Sequence, residues 1–188
     1  MNVPRFLRRL FRAPYDGLRH YGVVAEGVLY RCGQPTPEQL TDLIGRLALR
    51  TVVSLRGSRD ETDPDAWEQA ERAVCDAHGV RFVTIPCNHK NPPTQAQIDT
   101  FIGLCRNSER QPLLVHCRLG QQRTLLFCAL YRVHIDGLDP REAEREMDAL
   151  GFGAHKYRHR RLLEAFRRFS ERGSAALESA GAESDPAV

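Results

Sequence analysis

Pro112-Leu113-Leu114-Val115-His116-Cys117-Arg118-Leu119-Gly120-Gln121-Gln122-Arg123-Thr124 is an apolar strand that ends at a cysteine, crosses a short polar loop and opens a helix. Five residues separate Cys117 from Arg123, enough for the loop Arg118, Leu119, Gly120, Gln121 and Gln122 to curl with successive backbone N–H groups pointing inward as an anion nest. The helix that follows adds unpaired N–H groups and the positive end of its dipole. Gly120 permits the tightest part of the curl, and Arg123 supplies a planar fork that matches two oxygens of a phosphoryl group. The same field acts on the thiol. Beside a helix N-terminus and a cation, a cysteine pKa falls from about 8.5 into a range of roughly 3.5 to 7.5, which makes a thiolate available at neutral pH. These residues describe a phosphate cradle with a nucleophile, Cys117, at its floor.

Outward from this stretch, strands and helices alternate. Gly27 to Cys32, Thr51 to Leu55, Arg81 to Ile85 and Leu113 to His116 read as short strands. Thr36 before Pro37 and Gln39, and Thr94 before Gln97, have the spacing of capping boxes that open helices. Leu40, Leu43, Ile44 and Leu47 make one apolar stripe, and Ile98, Phe101, Ile102 and Cys105 make another. Between them, Asp63-Pro64 opens a helix with Trp67, Ala70, Val74 and Ala77 inward, closed by His78-Gly79. Leu125 to Val133 is apolar on nearly every side, as in a helix buried all round. Asp139-Pro140 opens a further helix with Ala143, Met147 and Leu150 inward, and Tyr157 to Phe169 forms the last, anchored by Leu162, Phe166 and Phe169. This order predicts an α/β fold with a mostly parallel central sheet flanked by helices on both faces. In such sheets the site lies beyond the carboxyl ends of the strands, where Arg56, the loop after Ile85 and Cys117 all fall. One domain is expected over residues 23–172, after a basic segment 1–22 and before residues 173–188, whose Ala, Ser, Glu and Gly predict a disordered tail.

His116-Cys117, Gly120 and Arg123-Thr124 stand as in the H-C-x-x-G-x-x-R-[ST] motif of the cysteine-dependent protein phosphatases. The chain resembles the small bacterial dual-specificity-like tyrosine phosphatases from about Tyr30 to about Phe169, through Tyr30-Arg31-Cys32-Gly33-Gln34-Pro35, Val52-Val53-Ser54-Leu55-Arg56, Ile85-Pro86 and the loop itself. The resemblance implies a dual-specificity-phosphatase-like fold and in-line attack of Cys117 on phosphorus. Arg123 and the nest would hold the oxygens, and a cysteinyl-phosphate would then be cleaved by water. It also implies that Thr124 donates its hydroxyl to the sulfur and that His116 orders the loop. Thr124 otherwise reads as a plain helix-opening threonine. The family's usual general acid, an aspartate on the loop after the preceding strand, has no counterpart in Pro86-Cys87-Asn88-His89-Lys90-Asn91-Pro92-Pro93. The candidates are His89 on that loop and Asp60, Asp63 and Asp65 beyond the neighbouring strand, with none singled out. Leu125 replaces the family's common glycine, a matter of packing behind the loop. Gln121 and Gln122, where lipid and inositol phosphatases often carry lysines, favour a phosphoprotein substrate, while Arg118, Lys90 and Arg56 keep an inositol phosphate open. The missing acid also leaves room for a non-catalytic phosphopeptide-binding module. A sulfur-transfer enzyme of the rhodanese type is the remaining class.

With 41% hydrophobic and 27% charged among 188 residues, the chain can bury a core without staples. A formal charge of +3, spread along the chain, gives no argument for nucleic acid and suits a small anionic substrate equally well. Cys32, Cys75, Cys87, Cys105, Cys117 and Cys128 form no C-x-x-C pair and no zinc spacing, so a reduced, cytoplasmic protein with no metal and no cofactor is expected. No secretory h-region or apolar run of membrane length is present. In the layout the resemblance implies, the strand ending at Ile85 lies beside the one ending at His116. Cys87 then reads either as packing at the loop base or as a partner that traps oxidised Cys117 in a disulfide. Residues 1–20 carry Arg5, Arg8, Arg9, Arg12 and Arg19 among Phe6, Leu7, Leu10 and Phe11, a short basic amphipathic helix that either touches an anionic membrane surface weakly or folds over the domain. The expected partner is a phosphorylated protein or small phosphate ester, handled by a monomer.

Overall fold

The computed structural model describes residues 18–56 and 64–182, with side chains over 18–56 and 66–171. Most of the expected N-terminal helix, together with Asp60 and Asp63, lies outside the described residues. Among the described residues five strands form one sheet: β1 (Gly22–Ala25), β2 (Leu29–Cys32), β3 (Thr51–Ser54), β4 (Arg81–Thr84) and β5 (Leu113–His116), in the order β1-β2-β5-β3-β4. β1 is antiparallel to β2, and all other neighbours are parallel. The strand β1 was not expected from the sequence, since four residues without clear alternation give little period-2 signal.

Among the described residues six helices flank the sheet: α1 (Pro37–Leu47), α2 (Pro64–Ala77), α3 (Gln95–Arg106), α4 (Gln122–His134), α5 (Pro140–Ala149) and α6 (Arg160–Ala182). The capping boxes at Thr36 and Thr94 both form, and Asp139 accepts from the amides of Arg141 and Glu142 to start α5. The last helix runs on to Ala182, ten residues into the stretch expected to be disordered. Alanine and glutamate there are as compatible with helix as with low complexity. The domain also begins earlier than expected, because Leu18 is buried and the carbonyl of Arg19 accepts from the amide of Gly33 at 2.7 Å.

Two cores lie on the two faces. One gathers Leu40, Leu43, Val52, Cys75 and Leu114 under α1 and α2. The other gathers Phe101, Leu113, Val115, Phe127, Met147 and Phe166 among α3 to α6. Successive β5 side chains alternate between them, as a pleated strand buried on both sides requires. α4 is buried on nearly every side, as its sequence predicts. Phe127 meets Phe101 edge to face, with ring centroids 5.1 Å apart. Because β5 is inserted between β2 and β3, His116 pairs with Cys32 on one side and Ser54 on the other. The loop leaving β5 is therefore walled by the loops leaving both neighbours.

Candidate active site

The loop from Cys117 to Gln121 takes its shape from those walls. Gly120 has φ +71°, and a Cβ there would lie 2.4 Å from the Gly33 nitrogen and 2.5 Å from the Cys32 carbonyl carbon. Only glycine fits. A Cβ on Gly33 would in turn press to 3.1 Å from the Leu119 carbonyl carbon, which explains the glycine in the Cys32-Gly33-Gln34 segment. The carbonyl of Arg118 accepts from the Gln34 amide at 3.2 Å, and the carbonyl of Gly120 faces the guanidinium of buried Arg31 at 3.5 Å. In a trans peptide the N–H points opposite to the C=O. Tying these two carbonyls outward therefore turns the amides of Leu119 and Gln121 inward. α4 starts at Gln122 with no side-chain cap, unlike α1, α3 and α5, and its first turn faces the same space.

Cys117 sits at the floor, 3% exposed. Burial pushes its pKa up, but the charge of Arg123, the hydroxyl and amide of Thr124 and the amide of Leu119 together outweigh burial and hold it below the ordinary thiol value. Thr124 is fully buried, among the described residues its hydroxyl has no oxygen or nitrogen partner, and the group it acts on is the Cys117 sulfur. Arg123 donates to the carbonyls of Leu55 at 3.0 Å and Cys87 at 3.2 Å, so its guanidinium is steered by the chain leaving β3 and by the loop leaving β4. Arg56 stacks on Trp67, with its guanidinium carbon 4.0 Å from the ring centroid, and donates to the Gln34 side chain. His116 is buried, its carbonyl accepts from the Leu55 amide at 2.8 Å, and its Nε2 lies 3.1 Å from Glu71 Oε1. Sequence reasoning missed Glu71, although it stands one turn from Trp67 and one from Cys75 on the inner face of α2. Ala77, expected inward, is exposed.

At the rim, Arg118 and Leu119 are exposed and Gln121 and Gln122 half-buried. The Gln121 side-chain Nε2 lies 3.3 Å from where a Cβ on Gly151 would stand, so the turn after α5 flanks the rim of the cradle. His89 and Lys90 are exposed on the loop after β4, which is organised by Asn88. Asp65 is the second residue of α2. The expected adjacency behind Cys87 does not hold: β3 separates β4 from β5, putting two strand spacings, about 10 Å, between their axes. Cys87 is buried in the same core as Cys117, and its defined role is the backbone carbonyl that holds Arg123. The cysteine that register brings beside this region is Cys32. Among the described residues no group of three or more His, Cys, Asp or Glu is placed to hold a metal ion, and no helix is long and apolar enough to cross a membrane.

A family model described as DSP-PTPase phosphatase fused to NAD+ kinase matches residues 19–164. The dual specificity protein phosphatase TpbA of Pseudomonas aeruginosa is 35% identical over 127 residues, covering 66% of this chain and 52% of TpbA. The chain thus spans about half the length of the curated relatives it matches. The crystal structure of a cysteine-to-serine variant of P. aeruginosa TpbA in complex with phosphotyrosine superposes with a TM-score of 0.64 at 26% identity, covering 84% of this chain and 90% of that one. The core catalytic domain of the PP-IP phosphatase SIW14 from S. cerevisiae, at 17% identity and a TM-score of 0.59 over 81% of this chain and 91% of its own, shares the fold.

Proposed function

This chain belongs to the family described as DSP-PTPase phosphatase fused to NAD+ kinase, and from that premise we propose that it hydrolyses phosphomonoesters, phosphotyrosine foremost, through a cysteinyl-phosphate on Cys117. The observation that carries the reading is the loop whose carbonyls are tied outward, whose amides face inward and whose floor is a thiol held below its ordinary pKa. The Cys117 thiolate attacks phosphorus in line while the nest and Arg123 hold the equatorial oxygens. The ester P–O bond breaks, and the leaving oxygen takes up a proton. Water then attacks the phosphorus, giving its proton to the group that protonated the leaving oxygen, the S–P bond breaks, and the Thr124 hydroxyl stabilises the departing thiolate. The proton donor is to be sought among His89, Asp60, Asp63 and Asp65. A phenolate leaves with less protonation than a serine alkoxide, so aryl esters are the better substrates. TpbA, dual-specificity by name and seen with phosphotyrosine, supports the same substrate class.

The test is hydrolysis of para-nitrophenyl phosphate in the presence of EDTA, with vanadate as inhibitor. Turnover should survive the chelator, vanadate should abolish it, and Cys117→Ser should lower kcat by about a thousandfold or more while inorganic phosphate still binds. Undiminished hydrolysis by Cys117→Ser overturns the nucleophile. Phosphopeptide binding with no turnover by the unmodified protein points instead to a recognition module, and turnover of thiosulfate with cyanide to sulfur transfer.

A further inference from the structure

One buried titratable pair takes no part in the chemistry above. Glu71 is 3% exposed in the middle of α2, and His116 is fully buried at the end of β5. His116 Nε2 and Glu71 Oε1 stand 3.1 Å apart, within ion-pair reach, and among the described residues no hydrogen bond ties either side chain to any other group. A buried pair of this kind adds little to stability, because desolvation offsets most of the attraction, but it fixes the ring it touches and the nitrogen that carries the proton. The location makes that fixation consequential. His116 is covalently next to Cys117, and its carbonyl is already held by the Leu55 amide at 2.8 Å. With its imidazole against Glu71, the residue from which the phosphate loop departs is pinned to β3 through its backbone and to α2 through its side chain. Trp67, one turn earlier on the same face of α2, carries Arg56. A single helix face thus backs two side chains of the site.

We propose that Glu71 is a positioning residue of the active site, which through the His116 ring fixes the base of the phosphate loop and so aims the amides and the Arg123 fork at Cys117. The inference rests on Cys117 being the nucleophile. Around the pair stand Cys32 at the end of β2, Cys75 on α2 and Cys117 beyond β5. Burial and then the field of Glu71 push Cys32 up, and burial and then Glu71 push Cys75 up to about 12. Facing Cys117 are Arg123, Thr124, the Leu119 amide, Cys32 and Cys128.

Two effects of opposite sign can be separated. Acting only as a nearby negative charge, Glu71 disfavours the thiolate, and neutralising it would ease ionisation of Cys117. Acting by position, its loss lets the loop relax and draws Arg123, Thr124 and the Leu119 amide away from the sulfur, so ionisation becomes harder. The experiment uses the full chain with Glu71→Gln, which removes the charge, and Glu71→Asp, which keeps the charge and shortens the reach. Cys117 alkylation by iodoacetamide is followed against pH, together with inorganic phosphate binding, kcat and KM on an aryl phosphate, and Tm. Both variants should move the alkylation midpoint to higher pH and lower kcat by between about 10- and 100-fold, with a smaller change in KM. Glu71→Gln should add nothing further in a His116→Asn background. A midpoint that falls or stays in place, or additive losses in the double variant, overturns the proposal. If Glu71→Gln does not fold, Glu71→Asp and His116→Asn carry the same expectations. Alkylation and phosphate binding need no turnover, so an unmodified protein that hydrolyses nothing defeats the functional reading and leaves the positional one to be judged on its own readouts.

Discussion

Two loops meet over Cys117, and they are held in opposite ways. The loop after β5 turns its amides onto its own sulfur and is held in place from outside. Its carbonyls bond to Gln34 and Arg31, its entry residue bonds to Leu55, and its tightest point fits against the backbone of Cys32 and Gly33. The loop after β4 holds itself. The Asn88 side-chain oxygen accepts from the amides of Lys90 and Asn91, each at 2.8 Å, the Asn88 amide donates to the Asn91 carbonyl at 2.8 Å, and Gln97 closes it by donating to the Pro86 carbonyl at 2.9 Å. A floor assembled from distant backbone is over-determined and cannot shift without moving the sheet. A rim assembled from its own residues can change chemistry without disturbing the floor.

Gly120→Ala tests the over-determined floor and should have the largest effect. A left-handed φ and a 2.4 Å clash with Gly33 require backbone movement, with strain of about 1–3 kcal/mol and a fall in kcat/KM of about a hundredfold or more. Chemical denaturation and steady-state kinetics on para-nitrophenyl phosphate measure both. A variant with near-normal kcat/KM would mean that the loop is not held by its neighbours. Thr124→Val sharpens the picture without moving backbone. Removing the hydroxyl raises the Cys117 pKa, so the acidic limb of the pH–rate profile should move up by about one unit, corresponding to about 1.4 kcal/mol. Breakdown of the phosphoenzyme should slow more than its formation, visible as a larger pre-steady-state burst. The smallest effect should come from Asn88→Ala, which unties the rim: about 1 kcal/mol of stability, with para-nitrophenyl phosphate turnover changed by less than about threefold. A loss comparable to that of Gly120→Ala would erase the distinction between the two loops.

What the sequence disclosed and what it concealed follow the same division. The strand, tight loop and helix around Cys117 were readable because an apolar strand, a cysteine, a glycine and an arginine at fixed spacing mark such a turn. The helices of Thr36 and Thr94 were readable because capping boxes are local. Strand order is not local. Nothing in the run from Arg81 to Ile85 says that β5 will insert between β2 and β3, and the expectation for Cys87 failed on that point. Glu71 was hidden for a related reason: a glutamate within a helix reads as solvent-facing, and its partner His116 lies in a strand 45 positions away. The general acid was not legible because the loop after β4 has no carboxylate.

α4 begins at the proposed anion site with no side-chain cap on its first turn and is packed among α3, α5 and α6 along the rest of its length. The first amides of this helix and the centre of the larger core are therefore one cooperative unit. An oxyanion that binds the proposed cradle would be linked by mass action to the folding of the whole domain, by about 2.7 kcal/mol at a ligand concentration one hundred times Kd. Conversely, the amide hydrogens in the middle of buried α4 should exchange among the slowest in the domain, so the element that opens the proposed site is expected to be among the last to breathe.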